Sequence, residues 1–211
     1  MGKVLLLDRR RPDPDVVQAA AAVVQGGGVV LSPTDTVYGL ACDPWNCEAV
    51  GRIREMKGRS VEKGFLLLIP GLDWVTSLVG TVPRDSQQLM SLWPGPVTLL
   101  FVCGPGTPAG VVGSQQKIGL RCPQDSFLQS WLGTLTRPVL STSANQSGKE
   151  MPATAAALRE MFEDSVDLLL LAPENIQAQA STVVDLTISP PRIVRRGEWA
   201  NRVEARLAGP S

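Results

Sequence analysis

Five consecutive apolar residues, Phe65 to Ile69 (FLLLI), constrain this chain more than any other stretch. The run shows no polar alternation, so as a strand it is expected to be covered on both faces, which requires a sheet with helices packed on either side. Further strand-like runs recur along the chain: VLLL at 4–7, the strand at 28–32, VTLLFVC at 97–103, KIGLR at 117–121, PVLST at 138–142, VDLLLLA at 166–172, STVVDL at 181–186 and RIVR at 192–195. Helical stretches separate them. Asp13 is placed to cap a helix with Pro14 at its first position, and DVVQAAAAVVQ carries it to the glycines at 26–28. Asn46 is placed to cap a second, with Glu48 in the first turn and Val50, Ile53 and Met56 along one face. Helices are also expected within 71–79, 84–92, 125–135 and 153–162, and in the tail EWANRVEARL, where Trp199, Val203 and Leu207 share a face. WPGP at 93–96 breaks the chain, and the Gly/Pro-rich stretch at 104–114 reads as a loop. The expectation is one mixed α/β domain over 1–211, with its core at about 13–197 and a C-terminal helix and tail at 198–211.

Several function classes are excluded early. The chain has no histidine, which removes His-based triads and His-bearing metal sites. Its four cysteines, Cys42, Cys47, Cys103 and Cys122, contain no C-x-x-C and read as reduced thiols. Lys+Arg and Asp+Glu both number 20, so net charge alone points to neither nucleic acid nor membrane. No run approaches the ~18 apolar residues of a membrane span, VLLL is too short for a signal sequence, and Leu6 breaks the myristoylation pattern after Met1-Gly2. A soluble, cytoplasmic protein is expected. No P-loop and no G-x-S-x-G elbow is present. GPGTPA at 104–109 has the spacing of a dinucleotide fingerprint, but its prolines and the glycines after it leave no helix to receive a pyrophosphate.

Three polar stretches remain. LSPTDTVYGL at 31–40 follows a buried strand, and Thr34, Asp35, Thr36 and Tyr38 offer donors and acceptors for a small polar ligand; a plain Asp-stabilised turn is the alternative. Arg52, Arg54, Lys57, Arg59 and Lys63 form a basic cluster. Arg52 and Arg54 point different ways on their helix, toward solvent for one or both. Lys57, Arg59 and Lys63 surround Gly58 and Gly64 at the helix end, where cations close over a polyphosphate or simply complement a helix C-terminus. STSANQSG at 141–148 places small hydroxyls and amides after another strand, suited to phosphate oxygens or to an ordinary turn. STVVD adds Ser181 and Thr182, and IVRRG adds Arg195 and Arg196.

Taken in order, PTDTVYGL, KGR with Lys63 soon after, WPGPVT, Leu120-Arg121-x-Pro123, STSAN-x-SG, STVVD and a final RRG resemble the YrdC-like threonylcarbamoyl-AMP synthases over nearly the whole chain. The resemblance implies a twisted, mixed open sheet flanked by helices around a large, positively charged cavity. It implies synthesis of threonylcarbamoyl-adenylate and pyrophosphate from L-threonine, bicarbonate and ATP, with partner proteins passing the threonylcarbamoyl group to tRNA adenosine next to the anticodon. Carried over by position, Lys57, Arg59, Ser143 and Asn145 match the family's catalytic tetrad. Thr36, Arg121 and Ser181 fall where threonine contacts lie. Arg59, Lys63, Lys117, Asn145 and Arg195 fall on the nucleotide side. Magnesium is expected with the triphosphate, since no carboxylate cage for a metal is visible in the sequence, and tRNA or double-stranded RNA is a possible partner.

Two departures from longer relatives stand out. Those often carry a histidine near the end of the strand after KGR, where this chain has Leu66 to Leu68, and they carry a second C-terminal domain where this chain has only residues 198–211. The main alternative is an RNA-binding module in tRNA or ribosome maturation without ATP turnover, its basic cluster holding a phosphodiester backbone. A carbamoyl-transfer domain of the hydrogenase-maturation kind is a third reading, although that domain sits in a longer chain with zinc-finger-like cysteines.

Overall fold

Asp13 accepts a hydrogen bond from the Asp15 N–H and Asn46 accepts one from Ala49, so both helices start where their capping residues stand. The computed structural model describes residues 2–84, 86–172 and 179–208. In chain order its elements are β1 (Lys3–Leu6), α1 (Pro14–Gln25), β2 (Val30–Ser32), β3 (Gly39–Cys42), α2 (Cys47–Lys57), β4 (Leu66–Leu68), α3 (Asp73–Leu78), α4 (Ser86–Met90), β5 (Val97–Val102), a 3-10 turn (Ala109–Val111), β6 (Lys117–Arg121), α5 (Ser126–Leu135), β7 (Val139–Ser143), α6 (Ala155–Phe162), β8 (Leu168–Leu171), β9 (Thr182–Asp185), β10 (Arg192–Arg195) and α7 (Ala200–Leu207). The last tail residues, 209–211, lie outside the described residues.

Among the described residues, ten strands form one mixed open sheet in the order β1-β8-β2-β3-β7-β4-β6-β5-β9-β10. Strand side chains alternate between faces, and two neighbouring rows show what each face does. Cys42, Leu140, Leu67, Leu120, Leu99 and Val184 lie side by side across six strands. All are buried in one core with residues from α2, α3, α4, α6 and α7. At about 1.5–3 kcal/mol for each fully buried aliphatic side chain, this row is the main adhesive of the sheet. One residue along, Ala41, Ser141, Leu66, Gly119 and Leu100 form a row on the opposite face. Ala41 joins a second core under α1 and α5, together with Val30, Leu68, Val139, Leu168 and Leu170. The other four residues of the row line a cavity.

FLLLI is therefore covered on both faces only in part. Phe65, Leu67 and Ile69 pack in the first core and Leu68 in the second, but half-buried Leu66 forms cavity floor. The strand β3 (GLAC) carries no strand signal of its own, and from the sequence this stretch reads as loop. Its small residues have little β-propensity, and its strand state comes from antiparallel pairing with β2 and β7 on its two sides. In the tail, Val203 is fully buried and Trp199 and Leu207 pack against the same core, as the helical spacing implied.

The loops after α2 and before β6 interlock. Ser114 N–H donates to the Glu62 carbonyl at 3.0 Å and Phe65 N–H to the Val111 carbonyl at 2.8 Å. A methyl group on Gly113 would lie 2.4 Å from the Glu62 oxygen and 2.5 Å from the Gly64 nitrogen. Gly113→Ala should therefore cost about 1–3 kcal/mol through overpacking, lowering Tm. Exposed Gly133, inside α5, offers the contrast, because a methyl group there would meet nothing within 4 Å. Gly133→Ala should stabilise by up to about 1 kcal/mol through helix propensity. Thermal denaturation of the two variants shifting in the same direction would contradict this packing account.

Candidate active site

The uncovered part of the sheet floors a cavity of about 600 Å³, within the roughly 300–1,000 Å³ typical of small-molecule sites. Among the described residues, five cationic side chains line it, Arg59, Lys63, Lys117, Arg121 and Arg195, against one carboxylate, Glu62.

The TDT turn forms one wall. Thr34 Oγ1 donates to the Val37 carbonyl at 2.7 Å and accepts from the Thr36 and Val37 N–H groups, which folds the turn onto itself. Thr36 Oγ1 lies 2.9 Å from Thr34 Oγ1 and accepts from Arg121 Nη1 at 2.8 Å. Arg121, only 3% exposed, also sits 3.2 Å from Asp35 Oδ1. That is an ion contact without hydrogen-bond alignment: Asp35 Oδ1 and Arg121 Nε have no hydrogen-bond partner. Burial pulls the Arg121 guanidinium below its ordinary value, opposed by Asp35 and Asp125. Asp35 and the Tyr38 hydroxyl, offered by the sequence as ligand groups, have partners within the protein. Asp35 serves Arg121 and accepts from Gln124 N–H, and the Tyr38 hydroxyl accepts from Ala172 N–H in the core.

On the far side of β6, Arg195 donates from Nε to the Ser181 carbonyl at 3.1 Å and from Nη2 to Ser181 Oγ at 2.9 Å. Ser181 Oγ also meets Thr98 Oγ1 at 2.9 Å. Burial and then the neighbouring Arg121 charge lower the Arg195 guanidinium. Arg121 is buried and Arg195 exposed, and the repulsion between them is relieved by an anion. Lys117 differs, because its ammonium is already paired with Asp185 at 2.7 Å.

The KGR turn depends on Gly58, the C-cap of α2, which takes a left-handed φ of 53° that a side chain would strain. Arg59 then curls back, with Nη2 donating to the Gly64 carbonyl at 2.6 Å and its guanidinium 5.1 Å from the Phe65 ring centre. Arg54 occupies a similar position over Phe65 and donates to the carbonyls of Ser60, Lys63 and Gly110. It braces the loop. Arg52 pairs with Asp167.

Lys57 is 2% exposed and does not line the cavity. Its ammonium donates to the Ser143 and Asn145 carbonyls and to Asn145 Oδ1, which uses all three hydrogens. Ser143 Oγ donates to the same Oδ1 at 2.5 Å. Lys57 thus fastens the STSAN turn from behind, while Ser143 and Asn145 face the cavity. Of the ten residues singled out from the sequence, the other nine (Thr36, Arg59, Lys63, Lys117, Arg121, Ser143, Asn145, Ser181 and Arg195) converge on this one hollow. Thr98 was missed. Its signal was there: a lone hydroxyl at an inward-alternating position of VTLLFV.

A model of the Sua5/YciO/YrdC family, described as telomere recombination, matches residues 22–197. The chain belongs to that family. A Pseudomonas aeruginosa member named threonylcarbamoyl-AMP synthase is 36% identical over 154 residues, covering 72% of this chain and 83% of the relative. A Pyrococcus abyssi protein of the same name is 30% identical over 195 residues, 92% of this chain but 57% of the relative, so the chain spans little more than half of that protein. Among solved structures, P. abyssi Sua5 complexed with L-threonine superposes with a TM-score of 0.89 at 28% identity, covering 98% of this chain and 61% of that one. Escherichia coli YciO gives 0.86 at 25% identity, covering 93% and 96%. The mixed open sheet with flanking helices is thus the Sua5/YciO fold.

Burial, then the Arg59 charge, lowers the Lys57 ammonium from 10.5 to about 8. Between pH 8 and the unfolded value the unfolded chain binds more protons, so stability contributed by this site rises with pH over that window. Compared with Lys57→Met, wild type should gain in relative Tm from pH 7 to pH 9.5. A Tm difference independent of pH would contradict the assignment of Lys57 as a desolvated cation.

Proposed function

We infer that this chain is a threonylcarbamoyl-AMP synthase, joining L-threonine, bicarbonate and ATP into threonylcarbamoyl-adenylate with release of pyrophosphate. The observation that carries this reading is the convergence of seven separate motifs, spread from Thr36 to Arg195, onto one cation-lined cavity. The names of its relatives support it.

In this reading Thr36, Arg121 and Ser181 receive the amino acid. Arg121 offers its charge to the carboxylate, and Thr36 and Ser181 present hydroxyls. Arg59, Lys63, Lys117, Asn145 and Arg195 face the nucleotide. Once threonine's amine and bicarbonate have formed a carbamate, its oxygen attacks the α-phosphorus and pyrophosphate leaves. Such a displacement asks for in-line placement and charge neutralisation, both within reach of a chain without histidine. Arg59, held by the Lys63 and Gly64 carbonyls, and Arg195, held by Ser181, are preorganised donors of that kind. Lys57 belongs to the catalytic group by holding Ser143 and Asn145 at the cavity wall. Lys117, paired with Asp185, is better suited to shaping the nucleotide side than to neutralising a phosphate. Among the described residues Glu62 is the lone carboxylate on the lining, and no cluster of acidic or cysteine side chains could hold a metal. A resident metal cage does not fit these residues. Magnesium enters only as the companion of the triphosphate, and no step here runs through it.

The adenylate is a reactive mixed anhydride, and a tRNA-modifying transfer system in the cytoplasm is its proposed consumer. The RNA-binding alternative is less well supported, because the motif cations are turned into a concave site rather than spread along an outer face. Among the described residues no helix is long and apolar enough to cross a membrane.

Purified protein should release pyrophosphate from ATP in bicarbonate buffer in a threonine-dependent manner. Arg59→Ala should lower kcat on the order of a hundredfold while keeping a cooperative thermal transition. Release unaffected by threonine would contradict the function, and full activity in Arg59→Ala would contradict the site.

A further inference from the structure

Arg9 stands in the charged turn between β1 and α1, ahead of the stretch matched by the family model and outside every motif of the cavity. Its side chain nevertheless points inward and is only 20% exposed. Nε donates to Asp125 Oδ2 at 2.9 Å, Nη2 lies 2.8 Å from the same oxygen, and Nη2 also donates to the Thr34 carbonyl at 2.6 Å. Asp125 is buried and caps α5 by accepting from the Leu128 N–H at 3.0 Å. Beyond it lies the Arg121–Asp35 pair, which holds Thr36. Arg9, Asp125, Arg121 and Asp35 thus form a run of two cations and two carboxylates at the back of the cavity wall.

The two carboxylates are near enough to matter to one another. Asp125 is raised by burial and, more weakly, by Asp35, while the Leu128 N–H and then Arg9 pull it back down. Both acids also act on Arg121. Without Arg9, two buried carboxylates would share one guanidinium, an arrangement that leaves a charge underpaired in a poorly solvated place. Arg121 would be drawn from Asp35 and Thr36 toward Asp125.

We propose that Arg9 is a positioning residue for the amino-acid end of the cavity: by neutralising Asp125 and gripping the Thr34 carbonyl, it leaves Arg121 to pair with Asp35 and hold Thr36. This rests on the threonine reading given above. It makes the N-terminal turn part of the substrate site, and it distinguishes Arg9 from a mere staple of the N-terminal segment. A staple would affect stability, or both substrates alike; a positioning residue affects threonine.

The test uses the full chain, with Tm, the KM for L-threonine and the KM for ATP read on each variant. Arg9→Met should raise the threonine KM about tenfold and leave the ATP KM within about twofold, the scale of coupling between contacting charged groups. Adding Asp125→Asn to Arg9→Met should bring the threonine KM back toward wild type, since Asn keeps the cap on Leu128 and removes the stranded charge. Arg9→Lys, which retains the charge, should stay within about threefold of wild type, and it decides the matter if Arg9→Met folds poorly. An unchanged threonine KM in Arg9→Met, an equal rise for both substrates, no recovery in the double variant, or a tenfold rise in Arg9→Lys would each overturn the proposal. Wild-type protein with no threonine-dependent turnover would overturn the functional reading and this inference with it. Normal wild-type turnover with an unaltered Arg9→Met would overturn this inference alone.

Discussion

Alternation along a strand gives each strand of this sheet two duties, and the extent of helix cover on the second face decides where the cavity lies. The face built on Leu140, Leu67, Leu120 and Leu99 is fully covered. The opposite face is covered by α1 and α5 only as far as Ala41, Leu68 and Val139. Beyond that edge the inward positions carry Ser141, Leu66, Gly119, Thr98 and Leu100, which form a floor with a few hydroxyls and little bulk. The same backbone register therefore fixes core and site together. A slip of one residue in β6 would turn Lys117 and Arg121 into the apolar core and Ile118 and Leu120 toward the cavity.

Several loops close around this floor, and each is anchored by charge on backbone carbonyls rather than by apolar packing. Lys57 fastens Ser143 and Asn145, Arg54 and Arg59 hold the turn after α2 around Phe65, and Arg195 grips Ser181. Arg9 does the same for Thr34. Cations bound this way are fixed before any substrate arrives. Their mutual repulsion, seen in Arg195 beside Arg121 and in Lys57 beside Arg59, is relieved when an anion enters. Chemistry that depends on placing and neutralising phosphates is the chemistry such a site suits, and it needs no histidine.

Much of this was legible in the sequence because it depends on local signals. Asp13 with Pro14, Asn46 with Glu48, and the Gly-terminated helices gave α1 and α2 nearly to the residue. The ordered motifs, with Lys117 carried over by position, gave nine of the cavity's residues. What escaped was set by tertiary partners. GLAC became β3 only through its two neighbours, and Leu66 looked like core because the half-covered face is not visible in one strand's composition. Lys57 read as a ligand cation, yet three acceptors on a turn 86 residues further along hold it behind the wall. Arg9 was illegible for a similar reason, since its partners lie 25 and 116 residues away.

The central claim is that one uncovered stretch of sheet holds both substrates at once. A structure of the protein soaked with L-threonine and a non-hydrolysable ATP analogue tests it most directly. The account predicts the threonine carboxylate at Arg121, with Thr36 and Ser181 around the amino acid, and the triphosphate within hydrogen-bond reach of Arg59 and Asn145 in the same hollow. Either ligand bound on another face of the molecule, or a triphosphate that leaves Arg59 and Arg195 untouched, would contradict it.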